Sequence, residues 1–257
     1  MVYSTRINRP KLNDLVPLIL IINQNSHFIG NPELWPAYAN NFRLDYKYNS
    51  MSISLEHSHV SNAIAPYQPQ YDPKQELVNM KPENLRFLSN TGLFFNTPWI
   101  LSAEWDLQTN FQLQRRTFET THLQIDSQQS FFDFNLDLVN TIEMGKGYTA
   151  EFGGNFQSKR NWGLWIFKPI GSLNLGLQKK LSGDKGTFRL AGTDLLNTNT
   201  ILLDVEFSEP NIYLYVDHFP RNRTITLSYS RSFGNKKLKA VKIESASEDD
   251  RKRMSVD

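Results

Sequence analysis

The chain has 257 residues, no cysteine and a formal net charge of +2. That excludes disulfides and thiolate metal sites, and no global field argues for a nucleic-acid partner. The longest apolar run, Leu15 to Ile22, is broken by Pro17 and falls far short of the roughly 20 residues that a membrane helix needs.

A mean hydropathy of −0.48 does not exclude a membrane barrel. Transmembrane strands hide their lipid face in alternation and average out as polar. The first ten residues lack a basic stretch followed by an apolar one, so no export signal is read there. Since the rest reads as an envelope protein, the expectation is that the chain is the C-terminal part of a longer polypeptide.

In chain order, a partial strand is predicted at residues 2–8. Residues 42–48 alternate, with Phe42, Leu44, Tyr46 and Tyr48 on one face and Arg43, Asp45 and Lys47 on the other. A period of two is the signature of a strand, because successive side chains point to opposite faces. Asn49-Ser50 reads as a tight turn, after which Met51, Ile53 and Leu55 oppose Ser52, Ser54 and Glu56. Residues 65–84, polar and rich in proline, read as a long connection.

A poorly alternating strand at residues 85–95 is expected to turn at Asn96-Thr97-Pro98 into residues 100–116. Within it, residues 101–114 form the cleanest alternation. Leu101, Ala103, Trp105, Leu107, Phe111 and Leu113 stand on one face and Ser102, Glu104, Asp106, Gln108, Asn110, Gln112 and Gln114 on the other. Its length exceeds the roughly 9–11 residues with which a tilted strand crosses a bilayer.

Residues 117–128 read as a polar connection. They precede a strand at 131–142, with Phe132, Phe134, Leu136 and Leu138 outward and Asp133, Asn135 and Asp137 inward. The turn Met144-Gly145-Lys146-Gly147 leads to a strand at 148–157. Leu173, Leu175 and Leu177 mark another, which returns through the Gly/Asp-rich turn at 182–186. After a long connection at 197–221 comes the last strand, residues 222–233, with Ile225, Leu227, Tyr229 and Phe233 outward.

This gives about ten long strands joined by strictly alternating short and long connections, as expected of an outer-membrane barrel. Tyr46, Tyr48, Phe95, Trp99 and Tyr148 gather beside the short turns and read as an interfacial girdle. The fold class is therefore all-β, an antiparallel transmembrane β-barrel portion, partial or open. It spans residues 1–233, followed by a charged, disordered periplasmic tail at 234–257.

No catalytic motif of the H-E-x-x-H, G-x-S-x-G or phosphate-loop type occurs. His57 and His59 share one strand face at a spacing compatible with a metal, but that face carries Met51, Ile53 and Leu55 and points toward lipid. Asp133 and Asp137 read as lumen carboxylates rather than a catalytic pair. No catalytic, cofactor-binding or metal-binding residue is assigned, and no enzyme activity is expected.

Three local signatures carry a family resemblance. Arg9-Pro10 through Leu15-Val16-Pro17 is similar to an R-P-x-x-x-x-L-x-P element, and Gly30-Asn31-Pro32-Glu33-Leu34-Trp35-Pro36 to a G-N-P-x-L-x-P element. The segment from Leu227 to Phe233, ahead of a charged tail, looks like a terminal barrel strand. Together they resemble the TonB-dependent-receptor-like outer-membrane β-barrels of Bacteroidota, although Ala37 stands where that family usually has Glu.

The resemblance implies a cell outer-membrane location and the C-terminal wall of a receptor for energised nutrient uptake, without its plug or export signal. The implied partners are outer-membrane lipid, the barrel-assembly machinery through the strand ending at Phe233, and the plug domain and energising TonB complex of a full-length receptor. Two alternatives stand beside it. One is a complete ten-stranded barrel, a pore or a surface hydrolase, which requires residues 2–8 to pair with 222–233. The other is a soluble β-sandwich binding module.

Overall fold

The period-two segments assemble into one antiparallel wall, and most of the connections at its far end fold into sheets of their own. The computed structural model describes residues 1–72, 74–122, 125–206, 213–218 and 223–233. The chain begins with β1 (Val2–Asn8), a single helical turn α1 (Leu12–Leu15), β2 (Ile19–Asn23), β3 (Ser26–Ile29), β4 (Ala37–Tyr48) and β5 (Met51–Ser61). It continues with β6 (Ile64–Asp72), β7 (Leu77–Asn84), β8 (Phe87–Ser102), β9 (Trp105–His122), β10 (Ile125–Gly145) and β11 (Tyr148–Gln157). The last part holds β12 (Arg160–Trp162), β13 (Trp165–Phe167), β14 (Ile170–Lys180), β15 (Thr187–Thr193), β16 (Ile201–Glu206), β17 (Tyr213–His218) and β18 (Thr224–Ser230).

Ten strands form the wall in the order β1-β4-β5-β8-β9-β10-β11-β14-β15-β18. The register sorts the side chains as the alternation predicts. Leu44 faces Leu55, Leu55 faces Leu93, Leu93 faces Leu113, and Leu113 faces Phe134. Phe152, Leu175 and Leu190 on the later strands share the same apolar face. The same register puts Asn41, Arg43, Asp45, Ser54, Gln114, Asp133 and Glu151 on the opposite face. β1 and β18 are the two ends of the order, so the wall is open and the pairing needed to close ten strands on themselves is not made among the described residues.

The short connections after β4, β8, β10 and β14 lie together at one end. At Lys146-Gly147 both residues have positive φ (50° and 78°), which is the type I′ geometry whose twist matches a hairpin. Tyr46, Tyr48, Trp99 and Tyr148 lie near these turns on the lipid face, joined by Trp105, Phe188 and Tyr229. The Phe188 and Tyr229 rings are 4.7 Å apart, and Lys179 Nζ sits 3.6 Å over Tyr148. Phe95 stands farther from its own turn, since β8 runs on to Ser102, but it lies in register with Ile53 and Tyr46 and its ring is 6.4 Å from that of Trp99.

The structure corrects the sequence reading at three places. Asn96-Thr97-Pro98 is not a turn but the interior of β8. The pairing with β5 stops at Asn96, opposite Ser52 near the start of β5, so Pro98 lies past the last position with a strand on both sides, where a missing N–H is tolerated. The turn is Ala103-Glu104, where Ser102 Oγ accepts the Glu104 N–H at 3.2 Å. The alternation at 101–114 is therefore two strands and a turn, with its facing preserved from Trp105 onward.

Residues 117–122 and 125–128 are also not a connection. β9 has 18 residues and β10 has 21, so this hairpin continues well past the membrane. There the inner face becomes apolar. Phe118, Phe131, Leu88 and Val60 pack with Ala63, Ala65 and Leu85, and the Phe118 and Phe131 rings meet edge-on at 6.2 Å.

Finally, the three other long connections in the body of the chain and the one before β18 are not structureless. They supply two four-stranded sheets, β2-β3-β7-β6 and β12-β13-β16-β17. The tail at 234–257 lies outside the described residues.

The two N-terminal signatures dock on one another at this outer end. Gly30 is buried, and a Cβ there would stand 2.1 Å from the Val16 carbonyl oxygen, so only glycine fits. Asn31 N–H donates to the Asp14 carbonyl at 2.6 Å, and Asn31 Nδ2 donates to the Pro82 carbonyl at 3.0 Å. Asn84 accepts the Trp35 N–H at 2.8 Å and donates to the carbonyls of Trp35 and Asn62. The G-N-P element thus pins the first outer sheet to the start of β4.

Candidate functional site

Two surfaces can meet a solute: the inner face of the wall and a cavity between the outer sheets. Several charges on the inner face are paired. Arg43 bridges Asp45 at 2.7 Å and Glu56 at 2.8 Å, and Asp45 also accepts from Ser54 Oγ at 2.6 Å. Arg189 pairs with Glu151 at 2.5 Å across two intervening ladders. Asp133, only 5% exposed, lies 3.3 Å from Arg116 Nε. Arg116 also donates to Gln114 Oε1 at 3.2 Å. Arg160, on β12, stacks over Phe167 at 4.5 Å. Burial pulls its guanidinium pKa down, Arg116 adds to that, and Asp133 opposes it.

The carboxylates singled out in the sequence are separately engaged. Asp137 accepts from Asn135 Nδ2 at 2.8 Å, while Asp133 faces Arg116. His57 and His59 both point to the lipid side. His57 Nδ1 is 2.9 Å from Thr91 Oγ1, and His59 stacks on Phe87 at 5.5 Å. Among the described residues, no three potential ligands are grouped to hold a metal. The side chains of His122 and His218 lie outside the described residues.

The cavity went unread in the sequence because its walls fall in segments taken as connections. It measures about 400 Å³ and lies between the two outer sheets. One side is Ile22, Phe28, Pro66, Tyr67 and Met80; the other is Trp162, Trp165, Phe167, Leu203, Tyr215 and Val216, with Asn23 and Ser26 as further polar lining. Beneath it Val78, Met80, Trp165 and Val205 form the core that holds the sheets together.

Polar bonds fix this contact. Trp165 Nε1 donates to the Tyr67 carbonyl at 2.7 Å. Gln68, 1% exposed, accepts the Leu164 N–H at 2.9 Å and donates to the Pro66 carbonyl at 3.0 Å. Gly163 turns β12 into β13 at φ +60°, and a Cβ there would lie 2.2 Å from Gln68 Oε1. The readable signal was Trp162-Gly163-Leu164-Trp165, two aromatics flanking a glycine-containing hairpin turn.

The wall, its two-faced register and the gathered outer sheets are the architecture of an outer-membrane barrel, and residues 1–230 match the outer membrane protein beta-barrel family. The chain belongs to that family. Its place is the cell outer membrane. Membership also gives the lipid-facing row its solvent, since a face of Leu and Phe on an open wall meets hydrocarbon in a barrel of this family.

The crystal structure of the siderophore receptor PirA from Pseudomonas aeruginosa is similar in fold, with a TM-score of 0.53 and 14% identity. The match covers 84% of this chain and 37% of the receptor chain. A comparison with curated proteins finds no match.

Proposed function

We propose that this chain is the C-terminal wall of a TonB-dependent-receptor-like protein of the Bacteroidota type, which takes up a nutrient across the outer membrane. The observation that carries the proposal is the open ten-stranded wall. In a bilayer each edge would leave unsatisfied backbone groups costing several kcal/mol apiece, so further strands are needed to complete it. Similarity to a siderophore receptor over 37% of that receptor's length supports the same view. On this proposal the plug domain and TonB complex act through the missing part, the barrel-assembly machinery engages the last strand, and no enzymatic step is involved.

The test is uptake in cells. An in-frame deletion of the gene is expected to abolish import of the solute that the protein serves, found by comparing growth on single nutrient sources. Collapse of the proton gradient should abolish the same import in wild-type cells. Growth unaffected by the deletion on every source refutes the proposal. Import that needs the gene but survives collapse of the gradient would favour the self-contained pore instead.

A further inference from the structure

We propose that the cavity between the outer sheets binds an uncharged small molecule with an apolar body of two to three rings. Four observations carry it. The first is size. A cavity of about 150 Å³ accepts a single benzene ring, so about 400 Å³ takes a body two to three times larger, within the range of small-molecule sites.

The second is charge. The lining includes no Asp, Glu, Lys, Arg or His, and a buried ion without a partner is strongly disfavoured. The neighbouring Lys168 Nζ and Asp204 Oδ2 pair with each other at 3.2 Å, while Asp204 Oδ1 is buried without a hydrogen bond.

The third is preorganisation. Tyr67 holds φ +56°, a conformation that is a genuine outlier for a bulky side chain and persists only where the surroundings impose it. Here they do. The register of β6 against β7 breaks between Ala65 and Gln68, Trp165 holds the Tyr67 carbonyl, and the Tyr67 ring lies 4.9 Å from Phe28. The bulge fixes an aromatic wall that an ordinary strand would have aimed elsewhere.

The fourth is polarity. Asn23 and Ser26 add polar groups to an otherwise apolar and aromatic surface. That matches a ligand carrying a single hydrogen-bonding group.

That the bound molecule is also the imported solute rests on the uptake proposal; its chemical class rests on the cavity alone. The probe is 2-naphthol, uncharged at neutral pH, with two fused rings and one hydroxyl. Its binding to the polypeptide as the cell produces it, held in phospholipid nanodiscs, is measured by equilibrium dialysis against protein-free nanodiscs. One saturable site per chain is expected. Binding of 2-naphthalenesulfonate should be weaker by at least about tenfold, since its charge finds no partner. The variant Ile22→Trp, which fills the rim, should bind 2-naphthol at least about tenfold more weakly. Leu20→Trp, on the same strand outside the cavity, should stay within about twofold.

No saturable excess over empty nanodiscs, equal binding of the sulfonate, or unchanged binding by Ile22→Trp each overturns the assignment. The comparison of naphthol with the sulfonate uses no variant, so it decides the matter even if Ile22→Trp fails to fold. Intact 2-naphthol binding beside deletion-insensitive growth refutes the uptake proposal alone. Gene-dependent uptake without 2-naphthol binding refutes the cavity alone.

Discussion

Replacing Leu55 by Arg tests which face of the wall meets lipid. Leu55 lies four residues past Met51, where β5 leaves its turn. That is about 14 Å along the strand, and about 10 Å of height at a tilt of 40°. The apolar band is about 25 Å tall, so Leu55 stands near the midplane. It is flanked in register by Leu44 and Leu93 and leaves 48% of its surface uncovered by protein. An Arg here has apolar neighbours on both sides and no acceptor within the row. The expected cost is about 2–4 kcal/mol, a shift of roughly 30- to 700-fold in the folding equilibrium.

The control is Ser58→Arg on the same strand. Ser58 faces inward and donates to Asn41 Oδ1 at 2.7 Å, so this change forfeits about 1 kcal/mol of hydrogen bonding and places the charge in a hydrated interior. Both variants are made in the polypeptide as the cell produces it, refolded into lipid vesicles and titrated with urea. A loss at Ser58→Arg equal to or larger than that at Leu55→Arg would refute the assignment of faces.

Three further substitutions probe the outer end and the lumen. Gly163→Ala forces a Cβ at positive φ against Gln68 and should cost more than about 1 kcal/mol; limited proteolysis should then cut the outer sheets faster while the wall stays protected. Arg116→Met strands the buried Asp133 and should cost about 3 kcal/mol, the low end for a broken buried pair because Arg160 remains close. Adding Asp133→Asn should restore most of that loss in the same urea titration. Gly30→Ala drives a Cβ into the Val16 carbonyl and should cost about 1–3 kcal/mol as overpacking, read as faster hydrogen exchange at Asn31 and Trp35 with β9 and β10 unaffected.

The wall was legible because lipid and water impose opposite demands on adjacent residues. Leu44, Leu55, Leu113 and Phe134 alternate with Arg43, Ser54, Gln114 and Asp133, and no other solvent pair writes that pattern over so many positions. Above the bilayer the outer face meets water and turns polar while the inner face turns apolar around Phe118 and Phe131, so the lipid-facing pattern is lost. The upper parts of β9 and β10, with Thr117, Glu119 and Gln128, therefore read as a polar connection, although each residue sits in register with a partner.

The turn at Ala103-Glu104 hid for a related reason: its residues continue the alternation across it, while Pro98 offered a stronger but false stop. The cavity was illegible for another cause. Its walls come from β2, β3, β6 and β7 on one side and β12, β13, β16 and β17 on the other. Trp162 and Trp165 acquire meaning only when Tyr67, distant in sequence, is brought beneath them.

The free edge of β1 has a consequence for assembly. Tyr3, Thr5 and Ile7 lie on the lipid side and Ser4 and Arg6 on the other. Any strand that adds to this edge must match that parity. A slip of one position would reverse every side chain of the newcomer and set its polar residues against hydrocarbon. A slip of two would keep the faces and lose only end contacts. The edge therefore rejects odd misalignments sharply and even ones weakly, so it proofreads which face a joining strand presents more stringently than how far along that strand has seated.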